Sequence, residues 1–192
     1  MQPTCPHVAP IPEQGLIGKC TLAAVLLLLA LLPGCAHDRR SIGSMVDDAA
    51  IQLKTTGILT TDTAFKDQAH INVTSQNGIV LLTGEAATAE VRDNFLARVR
   101  DIKSIRRIVN EVSIAPPSSL SQRTHDAWIT NKLKARLIGT KGLHASSIKV
   151  ITENSAVFLM GVVNRREGEL ATEAATQVSG IERVVQLFEY ID

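Results

Sequence analysis

The sequence repeats itself at a spacing of about 77 residues, so the chain must fold as two copies of one small unit. Ile71-Asn72-Val73 lies over Ile148-Lys149-Val150, and Asn77 lies over Asn154. Val80, Leu82, Gly84 and Glu90 lie over Val157, Leu159, Gly161 and Glu167. After a one-residue slip, Ile105, Ile108, Val112 and Ile114 lie over Ile181, Val184, Phe188 and Tyr190. Each copy has about 70 residues, near the lower limit for a unit that stands alone.

Hydrophobic spacing gives the elements of each copy. In the first, residues 46–59 read as a helix, with Asp47 and Asp48 in its first turn to suit the dipole and Ile51 and Leu59 on one face. Residues 70–74 and 79–84 read as strands around Asn77-Gly78, the strongest short hairpin signal. Residues 88–102 stack Val91, Phe95 and Val99 on a helix that Thr88 caps, and residues 105–114 read as a strand. The stretch 115–124, with Pro116-Pro117-Ser118-Ser119, reads as a linker. The second copy follows the same order. Residues 125–138 form a helix with Ile129, Leu133 and Leu137 on one face, and 147–152 and 156–163 are strands around Glu153-Asn154-Ser155. A helix over 165–178 and a strand over 181–191 complete it. The expected class is α+β: two tandem domains, 46–114 and 125–192, each helix-strand-strand-helix-strand with both helices on one face of a three-stranded sheet. Gly84 and Gly161 fall at equivalent strand ends, where a missing side chain allows a bend or a close backbone approach.

Upstream, Lys19 precedes an apolar run, 21–32, that ends in Leu32-Pro33-Gly34-Cys35. The run is shorter than the ~20 residues a membrane-crossing helix needs and fits the apolar region of a signal peptide. Leu-x-Gly-Cys is the pattern of a lipoprotein cleavage site. Residues 1–34 are then a signal peptide, Cys35 is the acylated first residue of the mature chain, and 35–45 is a tether. An ordinary cleaved signal or a short anchor is the alternative. The other cysteines, Cys5 and Cys20, lie inside the signal, so the mature chain has no second thiol for a disulfide.

The formal net charge of +1 gives no field that would draw nucleic acid. No glycine-rich phosphate loop, nucleophile elbow or carboxylate pair is present, and His70, His125 and His144 lack metal-ligand spacing. The expectation is a non-enzyme with no cofactor and no metal. Asn72-Val73-Thr74 matches a glycosylation signal but sits in a strand. Phe95, Phe158 and Phe188 read as core, and Phe65 as part of a loop.

The copies differ most in their first helices. The second carries Arg123, Lys132, Lys134, Arg136 and Lys141 against Asp126, whereas the first has Asp47 and Asp48 against Lys54. The single tryptophan, Trp128, stands where the first copy has Ala50. An indole beside several cations suits an anionic bilayer surface, because indole settles at headgroup level and each cation there contributes about 1 kcal/mol. The residues expected to touch phospholipid are Trp128, Lys132, Leu133, Lys134, Arg136 and Ile138. The alternative is that Trp128 packs between the two domains and the cations are a solvated face. On the lipid-contact reading the first copy is scaffold.

Several runs carry a family resemblance. They are Asp38-Arg39-Arg40-Ser41-Ile42-Gly43 with Val46-Asp47-Asp48, and Ala69-His70-Ile71-Asn72-Val73-Thr74. The second copy adds Asp126-Ala127-Trp128-Ile129-Thr130, Thr152-Glu153-Asn154, Val157-Phe158-Leu159-Met160-Gly161 and Val178-Ser179-Gly180-Ile181. Each unit resembles the BON domain. A lipoprotein signal followed by two of them is similar to the dual-BON outer-membrane lipoproteins associated with division, outer-membrane stress and lipid binding. The resemblance implies a non-catalytic role in envelope integrity under stress. It also implies an anchor on the periplasmic face of the outer membrane, which Ala36 after Cys35 favours, and anionic phospholipid binding through the first helix of the second domain. A periplasmic adaptor that docks envelope proteins is the second reading. The stretch between Cys35 and Asp38 is very short, which limits how far the body can stand off a membrane.

Overall fold

A computed structural model describes residues 40–191. The signal read at 1–34, the lipidation residue Cys35 and residues 36–39 of the tether lie outside the described residues.

The described chain forms two α+β units of the expected order. The first comprises α1 (Ile42–Thr61), β1 (Ala69–Gln76), β2 (Ile79–Ala86), α2 (Ala89–Arg100) and β3 (Arg107–Ile114). The second comprises α3 (Leu120–Gly139), a 3₁₀ turn (Ala145–Ser147), β4 (Ile148–Glu153), β5 (Ala156–Val163), α4 (Arg165–Thr176) and β6 (Arg183–Tyr190). Each makes a three-stranded sheet, in the orders β1-β2-β3 and β4-β5-β6. The hairpin pairs are antiparallel, and β2–β3 and β5–β6 are parallel, because a helix carries the chain back across the sheet between them.

Both first helices begin earlier than their hydrophobic spacing predicts. Ser41 caps α1, its Oγ accepting from the Ser44 N–H at 3.1 Å, so residues 42–45 are helix and not tether. Ser119 caps α3 in the same way through the Gln122 N–H, so the linker shortens at its end. The extra turns carry outward residues such as Ile42 and Leu120, both 81% exposed, so they add nothing to the core pattern. The expected dipole role of Asp48 is also corrected. It lies beyond the first turn of α1 and is buried. Its carboxylate accepts from Ser75 Oγ at 2.7 Å, Asn77 N at 2.7 Å and Gly78 N at 2.9 Å, and from Arg40 at 3.1 Å. Asp126 repeats the grip, accepting from the N–H groups of Asn154 and Ser155, each at 2.9 Å. In each unit a carboxylate from the first helix holds the hairpin turn. Asp126 is therefore structural.

The turns place both central residues at positive φ, at 50° and 74° for Asn77-Gly78 and at 48° and 63° for Asn154-Ser155. Glycine takes this conformation freely, whereas serine is strained by about 1 kcal/mol. Ser155→Gly should therefore raise stability by roughly that amount in urea unfolding.

The helix-facing cores centre on Ile51, Phe65, Val80, Leu82 and Phe95 in the first unit and on Ile129, Leu133, Leu137, Val157 and Leu159 in the second. Phe65 lies in the loop after α1, as expected, but is 2% exposed and meets Phe95 edge-on at 5.6 Å. The other sheet faces pack on one another through Ile79, Leu81, Ala156, Phe158, Met160 and Leu187. The body is thus four layers, helices–sheet–sheet–helices, with α1 and α3 on opposite outer layers. Polar pairs ring the seam: Arg106 with Glu189 at 3.1 Å, Arg183 with Glu111 at 2.6 Å, and Asn72 with Glu153 at 3.1 Å. Asn77 donates to Glu189 and Asn154 to Glu85. The second Glu85 oxygen is buried without a hydrogen-bond partner.

Candidate functional site

The core stripe of α3 sets where its other residues point. Ile129, Leu133 and Leu137 are buried against the β4-β5-β6 sheet, and at about 100° per residue the intervening positions face outward or onto the flanks. Trp128 is 48% exposed and does not pack into the seam between the sheets. His125, one turn earlier, stacks on the indole with centroids 5.9 Å apart and planes 22° apart. Lys132, one turn later, places Nζ 4.5 Å from the indole centroid and donates to Ser179 Oγ at 2.9 Å. This is a cation–π contact, worth about 0.5–1 kcal/mol where exposed. The indole is therefore held between two neighbours with much of its surface toward solvent. Neither His125 nor Ser179 is among the residues expected from the sequence to touch phospholipid. Only the i, i+3, i+7 spacing of His125, Trp128 and Lys132 signals that they share a flank.

The other expected contact residues divide. Arg136 is exposed about 80° round the helix from Trp128, on the Lys132 side. Ile138 is 76% exposed and about 80° round the other way. Leu133 is fully buried and belongs to the core, so it is removed from the contact set. Lys134 is exposed but stands about 120° from Trp128, on the flank over β4, and does not join the Trp128–Lys132 cluster. Its neighbour there is Lys149 on β4, whose ammonium also donates to Ser75 O at 3.5 Å. Burial, together with Arg40 and Lys134 nearby, holds Lys149 below the usual lysine range, against the opposing pull of Asp48. An anion bound at this edge would relieve that repulsion. A strand lysine gives no sequence signal for such a neighbourhood.

Among the described residues, no group of three or more His, Cys, Asp or Glu is placed to hold a metal ion. Among them, too, no helix is long and apolar enough to cross a membrane. His144 is engaged by Glu167, Nδ1 to Oε1 at 2.6 Å, where that buried carboxylate also completes the capping box of α4.

Comparison with known proteins places this arrangement. The BON domain model matches residues 47–116 and 125–192, one match over most of each unit described above. The outer membrane lipoprotein DolP of Haemophilus influenzae is 30% identical over 171 residues, 89% of each chain. The 21 kDa hemolysin of Actinobacillus pleuropneumoniae is 32% identical over 154 residues, covering 80% of this chain and 79% of the relative. Among solved structures, the type III secretion protein CdsD of Chlamydia trachomatis aligns with a TM-score of 0.30 at 17% identity, over 75% of this chain and 63% of that one. With a family model covering both repeats and a relative aligned along nearly its whole length, the chain belongs to the BON domain family and carries two copies of the domain.

Proposed function

We propose that this chain is a non-catalytic outer-membrane lipoprotein, anchored through an acylated Cys35, whose second BON domain touches anionic phospholipid with α3. Its body stands in the periplasm, and its role is to support envelope integrity under stress. The observation that carries this is the half-exposed indole of Trp128, held between His125 and Lys132 on an outer layer of the body. Indole prefers the headgroup region, and the neighbouring ammonium can pair with a lipid phosphate. Arg136 extends the cationic side, Ile138 offers an apolar side chain on the other, and Lys134 with Lys149 forms a separate basic edge. The relative DolP, named as an outer membrane lipoprotein, supports the location.

Flotation of the unlipidated body with phosphatidylglycerol vesicles tests the reading. Binding should weaken with salt, since exposed charges are screened within about 10 Å at 0.1 M. Lys132→Glu changes the local charge by two, and at about 1 kcal/mol per charge it should weaken binding roughly 30-fold. Trp128→Glu should abolish it while leaving the melting temperature nearly unchanged. Absence of flotation at low salt would overturn the lipid reading and leave the protein-adaptor function.

A further inference from the structure

The first copy, expected to be scaffold, carries an exposed apolar face on α1. Its inner face buries Asp48, Ile51 and Thr55. Its outer face carries Ile42, Val46, Ala49 and Leu53 at i, i+4, i+7 and i+11, one continuous line on a helix. Ile42 is 81% exposed, Val46 63% and Leu53 77%, with Met45 beside them at 41%. The exposed charges of α1, Asp47 and Lys54, stand about 120° round the helix from this line. In α3 the equivalent positions are Leu120, Thr124, Ala127 and Asn131, so the line is broken by polar residues in the second copy. The first domain thus exposes an uncharged aliphatic ridge where the second exposes an indole among cations.

What covers the ridge follows from where it sits in the chain. Ile42 is seven residues from Cys35, and even a fully extended segment of that length spans only about 25 Å. We propose that the α1 ridge seats on the bilayer next to Cys35, inserting aliphatic side chains among neutral lipid at headgroup depth. The proposal rests on the reading of Cys35 as the anchor. A helix lying in such an interface binds through its buried apolar area, to which attraction between its cations and anionic lipid adds. Among the described residues of α1 the one cation, Lys54, stands about 120° from the ridge, so the contact depends less on lipid charge and salt than the α3 contact. Because α1 and α3 lie on opposite outer layers, one flat bilayer takes them in turn. The α1 seat is the one for neutral lipid, and acidic lipid draws the body over toward α3.

The test uses the chain from Cys35 onward, in which Cys35 is the one thiol, coupled to a maleimide lipid in phosphatidylcholine vesicles. This supplies the tether whatever the native acylation, which the mass of the native protein reports separately. Trp128 is the only tryptophan, so Val46→Trp with Trp128→Phe gives a reporter on the ridge alone. Its emission should shift to the blue and be quenched by brominated phosphatidylcholine equally at low and high salt. Adding Leu53→Asp should lower the ratio of seated to unseated body roughly tenfold, the effect of withdrawing one leucine side chain from hydrocarbon. In vesicles rich in phosphatidylglycerol at low salt, quenching should move from the ridge reporter to Trp128 in the unsubstituted chain. A ridge reporter that stays in water on every vesicle overturns the proposal while leaving the α3 reading intact. A reporter already dry without vesicles, in a concentration-dependent way, also overturns it and assigns the ridge to a second copy of the chain.

Discussion

Gly84→Ala is expected to unfold the first domain. Gly84 lies in the buried strand β2, paired with Ile71, at φ +105°, a conformation that side chains rarely adopt. A Cβ there would meet the His70 carbonyl oxygen at 2.1 Å, well inside contact distance, and that atom is backbone of the neighbouring strand. Rotating a side chain cannot relieve the clash. Only parting β1 from β2 can, and that breaks the sheet on which Ile51 and Phe95 pack. The expected loss is about 4 kcal/mol or more, a large share of the 5–15 kcal/mol that holds a typical domain. Gly161→Ala meets the Ser147 carbonyl oxygen at 2.3 Å but without the positive φ, so it should cost somewhat less. Urea unfolding of the two variants measures both. A loss below 1 kcal/mol at position 84 would show that β1 and β2 can separate cheaply.

Removing the carboxylate that holds a hairpin turn is the second large effect. Asp48→Asn keeps the size of the side chain but replaces one acceptor oxygen with a donor, which faces the Gly78 N–H and Ser75 hydroxyl in the Oδ1 place, or the Asn77 N–H and Arg40 guanidinium in the Oδ2 place. A buried donor left without a partner costs about 1–3 kcal/mol, and two are at risk, so a loss of about 3 kcal/mol is expected at neutral pH. The effect carries a pH signature. Burial pushes the Asp48 carboxyl up. The hydrogen bonds from Gly78, Ser75, Asn77 and Arg40 together outweigh that and hold it below the ordinary value of 3.8. A carboxyl depressed in the folded state contributes stability above its unfolded pKa, and the contribution is lost as the pH falls through the folded value. Wild type and Asp48→Asn should therefore differ most near pH 7 and converge below about pH 4. Thermal melts across that range would give the two curves, and a constant gap would show that the charge on Asp48 does not matter.

The repeat, the element order and the close backbone approach at Gly84 and Gly161 were legible in the sequence because each rests on spacing or on a residue with one physical use, although both glycines lie inside strands and not at their ends. The seam between the sheets was written there too, in a form easily missed. Ile79-Val80-Leu81-Leu82 and Val157-Phe158-Leu159-Met160 are continuous apolar runs, not alternations, and a strand that is apolar on both faces is buried on both. The grips of Asp48 and Asp126 were hidden because an aspartate near a helix start has a simpler surface explanation. The α1 ridge was hidden because Ile42, Val46 and Leu53 look like irregular core. Only their exposure separates them from Ile51. In α3, Trp128 and Lys132 could be paired by helical spacing, but Lys134 and Leu133 were grouped with them by nearness in sequence, which on a helix scatters residues round the axis.

Each hairpin tip is held from two sides. Asn77 gives its backbone N–H to Asp48 of its own domain and its side-chain amide to Glu189 of the other, and Asn154 does the same between Asp126 and Glu85. Duplication has thus gone past bead-on-a-string architecture to mutual dependence. A protease cut in the 115–119 connector would not release two self-sufficient halves, since each would carry a greasy bare sheet and a half-tied loop. Variation in either repeat is therefore filtered through its twin.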